Sequence, residues 1–131
     1  MPEYVTEKIA SALNDSYKSI NGSRILVLGI AYKKNIDDLR ESPSVEVMQR
    51  LKSKGAQVDY SDPFFNEFPN LRKYSFNLKS IPLSKESLNS YDLILLATDH
   101  DAFDYELIKV NSKVIVDTRG RFQPCKNIFR A

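Results

Sequence analysis

The chain has 131 residues and a mass of 15.0 kDa, a size that fits a single domain. Its 42% hydrophobic and 27% charged residues are typical of a globular protein and exclude a disordered or fibrous one. The net charge of +2 arises without any block of lysines and arginines, which argues against a nucleic acid partner.

The sequence also argues against a membrane span, a secretory signal segment, a disulfide and a cysteine metal site. The longest apolar run, residues 25–32, is far shorter than the roughly 18 residues of a membrane span. The N-terminus is charged and has no hydrophobic signal segment, so we expect a cytoplasmic protein without a membrane partner. Cys125 is the only cysteine and His100 the only histidine. A disulfide within the chain and a cysteine zinc site are therefore excluded, and a metal site would need carboxylates almost alone.

The first predicted element is an amphipathic helix from Tyr4 to Ile20. Its apolar residues recur every three or four positions, at Val5, Ile9, Leu13, Tyr17 and Ile20. Gly22 is expected to cap its C-terminal end. The pattern then changes to an aliphatic run from Arg24 to Gly29, typical of a strand buried on both faces. We therefore divide the chain near Gly22, into residues 1–21 and a domain of residues 22–131.

A second helix and a second strand are predicted next. Ser42 and Pro43 supply an N-cap and a first-turn proline. Apolar residues then follow at helical spacing, at Val45, Val47, Met48 and Leu51. Gly55 ends this helix, Gln57 to Ser61 forms the strand, and Asp62 with Pro63 forms the turn after it.

The remaining elements continue the alternation of helices and strands. Residues 64–82 are aromatic and irregular, and only a short strand around Tyr74 to Leu78 is predicted there. Ser84 is expected to cap a helix whose start is held by contact between Leu83 and Leu88. Three elements complete the series: a strand over Asp92 to Ala97, a helix near Phe103 to Lys109, and a last strand over Lys113 to Asp117.

This order predicts an α/β fold with an open, mostly parallel sheet and helices on both faces, preceded by an N-terminal amphipathic helix. Ligands of such sheets bind beyond the C-terminal ends of the strands. Three loops are therefore candidates for a binding site, those that follow Leu28, Ala97 and Asp117.

The loop after Leu28 has features of an anion site but no complete dinucleotide fingerprint. Only Gly29 stands where a G-x-G-x-x-G motif has three glycines. Lys33 and Arg40 could share an anion with the N-terminus of the next helix. Alternatively, the charges of the loop cancel and pair locally, since it holds Lys33, Lys34, Asp37, Asp38, Arg40 and Glu41.

The other two loops also allow two interpretations each. Arg119 beside Gly120 could bind a phosphate, or it could form a structural pair with Asp117. Residues 98–101 could hold a catalytic base, but we favour a role in capping the following helix. Cys125 lies in a polar tail with no cation fixed beside it, so we expect an incidental thiol.

Several segments resemble one known family, in the same order. The first loop reads Leu28-Gly29-Ile30-Ala31-Tyr32-Lys33 and continues with Asp38-Leu39-Arg40-Glu41-Ser42-Pro43. The later matches are Asp62-Pro63, Thr98-Asp99-His100, Phe103-Asp104-Tyr105 and Val116-Asp117-Thr118-Arg119. Together they are similar to the C-terminal, UDP-binding domain of the UDP-glucose/GDP-mannose dehydrogenase family. Residues 1–5 resemble the start of the last stretch of the long helix that joins the two halves of those enzymes, so the resemblance covers nearly the whole chain.

The resemblance implies a Rossmann-like fold and NAD-dependent oxidation of the C6 alcohol of a UDP-sugar to a carboxylate. The most similar branch acts on UDP-N-acetylglucosamine or UDP-N-acetylmannosamine and feeds bacterial capsule and O-antigen synthesis. Tyr32, Lys33 and Arg119 match positions that contact the nucleotide sugar. Arg40 matches a position that approaches NAD, and no residue here matches a catalytic one.

The sequence also departs from the family pattern. It contains no G-x-G-x-x-G motif, and Cys125 does not match the family's nucleophilic cysteine. We therefore expect NAD and the thiol in a missing N-terminal NAD-binding domain, a homodimer in the full-length enzyme, and no activity of this chain alone. Two alternatives are a stand-alone nucleotide-sugar-binding or regulatory module without oxidoreductase activity, and an interaction module that uses the exposed face of the first helix.

Overall fold

The computed structural model describes residues 2–30, 43–68, 78–123 and 126–131. These ranges form four helices and five strands. The helices are α1 (Pro2–Asn14), α2 (Pro43–Ser53), α3 (Lys85–Asn89) and α4 (Tyr105–Asn111), and the strands are β1 (Arg24–Leu28), β2 (Gln57–Ser61), β3 (Leu93–Leu96), β4 (Ile115–Asp117) and β5 (Ile128–Arg130). All five strands are parallel neighbours in one sheet, so the predicted α/β architecture is confirmed.

Alternate residues of the strands enter two separate cores, one on each face of the sheet. Ile25 and Val27 of β1 pack with α1 and α2 on one face. Leu26 and Leu28 pack with α3 and α4 on the other face. Each fully buried aliphatic side chain contributes about 1.5 to 3 kcal/mol. Burial on both faces explains why β1 and β3 are continuous aliphatic runs rather than alternating ones.

The strand order is β2-β1-β3-β4-β5. The chain leaves β1 through α2 to reach β2 on one side, and it later returns to β3 on the other side of β1. The connection after β1 therefore leads to β2 on one side of the β1 and β3 pair, and the connection after β3 leads to β4 on the other. In open parallel sheets the ends of two such strands are the place where ligands bind.

The first helix is shorter than predicted, because it ends at Asn14 rather than at Ile20. Tyr17 has a positive φ of 61°, its N–H donates to the Asn14 carbonyl (2.9 Å), and the Lys18 N–H donates to the Leu13 carbonyl (3.0 Å). This pair of bonds is a Schellman motif, which terminates a helix. Gly22, the predicted cap, lies in a later turn and donates its N–H to Gly55. Ile20 is buried all the same, through the turn rather than through helical periodicity.

Tyr17 occupies a backbone conformation that disfavours any side chain with a Cβ, and its own side chain is 99% exposed. Tyr17→Gly should therefore raise the free energy of unfolding by about 1 kcal/mol, since glycine adopts this conformation freely and no contact is lost. Urea denaturation measures the change. Tyr4→Gly is the control, because Tyr4 lies within α1, where glycine should lower stability by about 1 kcal/mol. A loss of stability in both variants would contradict the expectation.

The strand β5 was not predicted, since the chain after Asp117 was interpreted as a polar tail. Its three residues run parallel to β4, with Ile128 beside Ile115 and Arg130 beside Asp117. Ile128 is buried against the α3 and α4 side of the sheet. Three residues after a proline-containing segment are too short for a periodicity signal.

Smaller differences concern the ends of elements. The last predicted helix begins at Tyr105, and Phe103 lies before it. Of the strand predicted around Tyr74 to Leu78, only Leu78 lies within the described residues, and it belongs to no strand. The helix at Ser84 is confirmed in detail, because Ser84 and Ser87 exchange side-chain and backbone bonds in a capping box. Across the described ranges, no helix has both the length and the apolar character needed to cross a membrane.

Candidate functional site

The C-terminal ends of β1 and β3 are held together by backbone contacts. The N–H groups of Ala97 and Thr98 both donate to the Leu28 carbonyl, at 3.0 and 3.1 Å. Gly29 has a φ of +85°, and a Cβ built on it would lie 2.5 Å from the Thr98 carbonyl oxygen. Glycine is therefore required at position 29 for two reasons: the positive φ disfavours other residues, and Thr98 leaves no room for a Cβ. These contacts fix the ends of β1 and β3 against each other.

The loop after β4 is organised around the buried carboxylate of Asp117. Oδ1 accepts the N–H groups of Arg119 (2.8 Å) and Gly120 (2.9 Å), and Oδ2 accepts the N–H of Phe122 (2.8 Å). Asp117 thus binds the backbone N–H of Arg119, and the alternative of a pair between their two side chains is not formed. Charge-assisted bonds of this kind are about twice as strong as neutral ones. They fix the backbone of this loop.

The side chain of Arg119 is exposed and partly fixed. Its Nε donates to the Ala97 carbonyl at 2.9 Å, across from the end of β3. Among the described residues, no carboxylate pairs with its guanidinium. As far as the described part of the chain goes, its two terminal nitrogens are available to an anion at the edge where ligands of such sheets bind.

Arg121 differs from Arg119, since its charge is already compensated. Its guanidinium lies 3.4 Å from an Asp99 carboxylate oxygen and 3.3 Å from one of Asp101. It also stacks over the Tyr105 ring, with 4.2 Å between the guanidinium carbon and the ring centroid. The interpretation of residues 98–101 as a cap for α4 is therefore wrong. Asp104 is the cap, and it accepts the Leu107 N–H at 3.1 Å.

His100 lies in the core rather than in an open cleft, so it does not offer an exposed base. Its side chain is fully buried, its Nε2 lies 3.0 Å from Asp62 Oδ2, and its ring packs against those of Phe64 and Phe103. Its backbone carbonyl accepts the Tyr105 hydroxyl at 2.6 Å. Burial raises the pKa of Tyr105 above its ordinary value despite the opposing effect of Arg121, so this hydroxyl remains a donor at neutral pH.

Comparison with known proteins identifies the domain. A family model described as "UDP-glucose/GDP-mannose dehydrogenase family, UDP binding domain" matches residues 26–124, from β1 to beyond the Asp117 loop. The chain belongs to this family.

Two relatives and one solved structure of dehydrogenases illustrate the similarity. The chain is 35% identical over 130 residues to the UDP-N-acetyl-D-mannosamine dehydrogenase of Methanococcus maripaludis strain C7, covering 92% of this chain and 27% of the relative. It is 30% identical over 103 residues to the UDP-N-acetyl-D-glucosamine 6-dehydrogenase of Salmonella typhi, covering 79% of this chain and 23% of that relative. The NDP-N-acetyl-D-galactosaminuronic acid dehydrogenase of Methanosarcina mazei Go1 has the same fold, with a TM-score of 0.78 at 23% identity over 99% of this chain and 28% of that one. The chain therefore spans about a quarter of the length of these dehydrogenases.

The UDP-binding domain of the family was recognised from the sequence, but its predicted contacts are only partly described. Arg119 lies at the C-terminal edge of the sheet, as predicted. Tyr32, Lys33, Arg40 and Cys125 lie outside the described residues, and so do the charge pairs predicted for the first loop. Within the described ranges, no three His, Cys, Asp or Glu side chains gather as a metal site requires.

Sequence reasoning missed Arg130, which lies at the same edge of the domain. A Cβ built on Gly120 would lie 2.9 Å from Nη2 of Arg130, so this exposed side chain covers the glycine that follows Arg119. The position of Arg130 follows from β5, which carries it beside Asp117. Because β5 is not predicted from the sequence, the sequence does not indicate that Arg130 lies at this edge.

Proposed function

We propose that this chain is the UDP-sugar-binding domain of an NAD-dependent UDP-sugar 6-dehydrogenase. The enzyme oxidises the C6 alcohol of a UDP-N-acetylhexosamine or of UDP-glucose to the uronate. Family membership supports this assignment, and the observation that carries it in the structure is the exposed guanidinium of Arg119 at the end of β4.

The geometry of Arg119 suits a diphosphate. The Asp117 carboxylate fixes its backbone and the Ala97 carbonyl fixes its Nε, so the guanidinium plane is oriented before any ligand arrives. A guanidinium fixed in this way binds phosphate oxygens with two parallel hydrogen bonds. Arg130 adds a second positive charge beside Gly120. Both arginines therefore favour an anionic ligand at this edge.

The other predicted contacts are part of the same proposal. Tyr32 and Lys33 follow β1 in the chain, and the resemblance assigns them to the nucleotide sugar together with Arg119. Arg40 is assigned to the NAD side. Asp117, Asp62 and His100 are buried and hydrogen-bonded, so their role is to hold the loops rather than to bind the ligand.

We propose that the chemistry requires a further domain. Hydride transfer needs a bound nicotinamide, and the C6 oxidation needs a thiol, which an N-terminal NAD-binding domain would supply. Residues 1–21 then correspond to the end of an interdomain helix and residues 22–131 to the UDP-binding domain. The complete enzyme would be a cytoplasmic homodimer that supplies sugars for capsule or O-antigen synthesis.

Calorimetric titration of the chain with UDP, UDP-N-acetylglucosamine and GDP tests the proposed function. We expect the two uridine nucleotides to bind and GDP to bind at least about tenfold more weakly, a difference of about 1.4 kcal/mol. We expect no NADH when NAD and a UDP-sugar are added, because the thiol and the main cofactor site are lacking. Absence of UDP binding would contradict the assignment of the site.

Two controls complete this test. NADH production that persists when Cys125 is replaced by serine would show that the chain is a self-sufficient enzyme, contrary to the proposal. UDP binding without NADH is also expected of a stand-alone binding module. The gene discriminates between the two, since a strand, a G-x-G-x-x-G turn and a helix encoded upstream indicate the dehydrogenase.

A further inference from the structure

A buried pair, Asp62 and His100, joins loops that are far apart in the sequence. Both side chains are 0% exposed, and Asp62 Oδ2 lies 3.0 Å from His100 Nε2. The same Oδ2 accepts the N–H of Ile30 at 2.8 Å, and Oδ1 accepts the N–H of Phe64 at 2.8 Å. One carboxylate therefore holds the chain after β1, after β2 and after β3.

The contact between Asp62 and His100 shares an oxygen that also binds the backbone. An ionised Asp62 accepts at Oδ2 from the Ile30 N–H and from a proton on Nε2 of His100. The Phe64 and Phe103 rings lie 4.8 and 5.6 Å from the imidazole, measured between centroids. Both side chains of the pair are 0% exposed in the folded protein.

Such a pair contributes more to geometry than to stability. The cost of removing a carboxylate and an imidazole from water offsets much of their attraction, and apolar replacements for buried pairs are often as stable. The pair also lies next to segments that carry the predicted site residues. Ile30 directly precedes the segment that carries Tyr32 and Lys33, and His100 lies three residues after Ala97, whose carbonyl fixes Arg119.

We propose that Asp62 and His100 are positioning residues that fix the starts of the β1 and β3 loops at the UDP site. This inference rests on the proposed function, since the site it serves is the one assigned to UDP. The pair does not touch the nucleotide. It fixes the backbone at Ile30, directly after β1, to the residue His100 that follows β3.

Asp62→Asn isolates the contact with Ile30. The amide of the new asparagine can keep its oxygen towards the Phe64 N–H and turn its NH2 group towards His100. The imidazole accepts this group at Nε2 when its proton lies on Nδ1. The Ile30 N–H is left facing a donor. His100→Phe removes the Nε2 donor and keeps an aromatic ring, whereas His100→Gln keeps an N–H donor near the same place. Tyr91→Phe is the matched control, because it removes a part-buried hydrogen bond to Asp59 (2.7 Å) at the opposite edge of the sheet.

Two measurements are made at a temperature where every variant is folded: amide hydrogen exchange at Ile30 without nucleotide, and calorimetric UDP affinity. In Asp62→Asn and His100→Phe we expect exchange at Ile30 to become about tenfold faster and UDP affinity to fall at least about fivefold, the equivalent of one hydrogen bond of about 1 kcal/mol. His100→Gln should stay within about threefold of the unchanged protein in affinity. Tyr91→Phe should lower the melting temperature and leave both quantities unchanged.

The possible failures are distinguishable. If Asp62→Asn and His100→Phe melt earlier but bind UDP as tightly as the unchanged protein, the pair is only structural and the inference is overturned, while the proposed function stands. If the unchanged protein does not bind UDP, the proposed function is overturned and the inference falls with it. Equal losses in His100→Gln and His100→Phe would also overturn the inference, because the retained N–H donor would then have no effect.

Discussion

Replacing Arg119 by alanine is expected to weaken UDP binding about 10- to 150-fold. The estimate follows from the loss of one hydrogen-bonded charge contact, which is worth about 1.5 to 3 kcal/mol. The side chain is exposed and its Nε is fixed by the Ala97 carbonyl, so its removal should leave the fold intact. Calorimetric titration of UDP and thermal melting of the same samples measure the two effects separately.

Two further variants test this interpretation of Arg119. Arg24→Ala removes an equal charge at the opposite edge of the sheet, where Arg24 begins β1 and stacks on Tyr91, and UDP affinity should not change. Lys33→Ala should lower UDP affinity by about the same factor as Arg119→Ala. If Arg119→Ala keeps its UDP affinity and loses at most about 1 kcal/mol of stability, the arginine serves only to anchor Ala97, and the site is assigned wrongly.

Gly29→Ala should lower the free energy of unfolding by about 2 to 5 kcal/mol. A side chain at φ +85° costs about 1 to 2 kcal/mol, and collision of the new Cβ with Thr98 adds about 1 to 3 kcal/mol. The Thr98 carbonyl oxygen would lie 2.5 Å away, and backbone atoms cannot move aside as the end of a flexible side chain can. Urea denaturation with linear extrapolation measures the loss.

Gly22→Ala provides the matched comparison for Gly29. Its φ of +86° is nearly the same, but no atom lies within 4 Å of the position that a Cβ would take. Only the backbone strain remains, so we expect a loss of about 1 to 2 kcal/mol. Equal losses in the two variants would show that the junction of β1 and β3 is looser than the contact between Gly29 and Thr98 indicates.

Most of the sheet could be predicted from the sequence, because local patterns determine it. The aliphatic runs of β1 and β3 have to be buried on both faces, and the Ser84 capping box is a local motif. The predicted end of α1 was wrong because Tyr17 and Ile20 continue the apolar spacing of the helix beyond Asn14. Asn14, Asp15 and Ser16, which favour caps and turns over helix interiors, were the contrary signal.

The candidate site was less predictable, because its contacts join residues distant in sequence. Asp62 and His100 are separated by 38 positions, and nothing in either local pattern indicates the other. Asp62 was interpreted as a turn residue and His100 as a helix cap. The place of Arg119 at the sheet edge could be predicted because it follows a strand, whereas that of Arg130 depends on a three-residue strand without a periodic signal.

The hydrogen bonds that hold the loop bases together have a consequence for divergence within the family. Beside the carboxylates of Asp62 and Asp117, several acceptors at the strand ends are main-chain carbonyls, those of Leu28, Leu96, Ala97 and Ser61. A carbonyl persists whatever side chain the residue carries, so mutation can alter most of these positions without dismantling the edge. Drift in sequence and retention of this edge are then compatible. The side chains of the loops can change while these main-chain hydrogen bonds at the strand ends are kept.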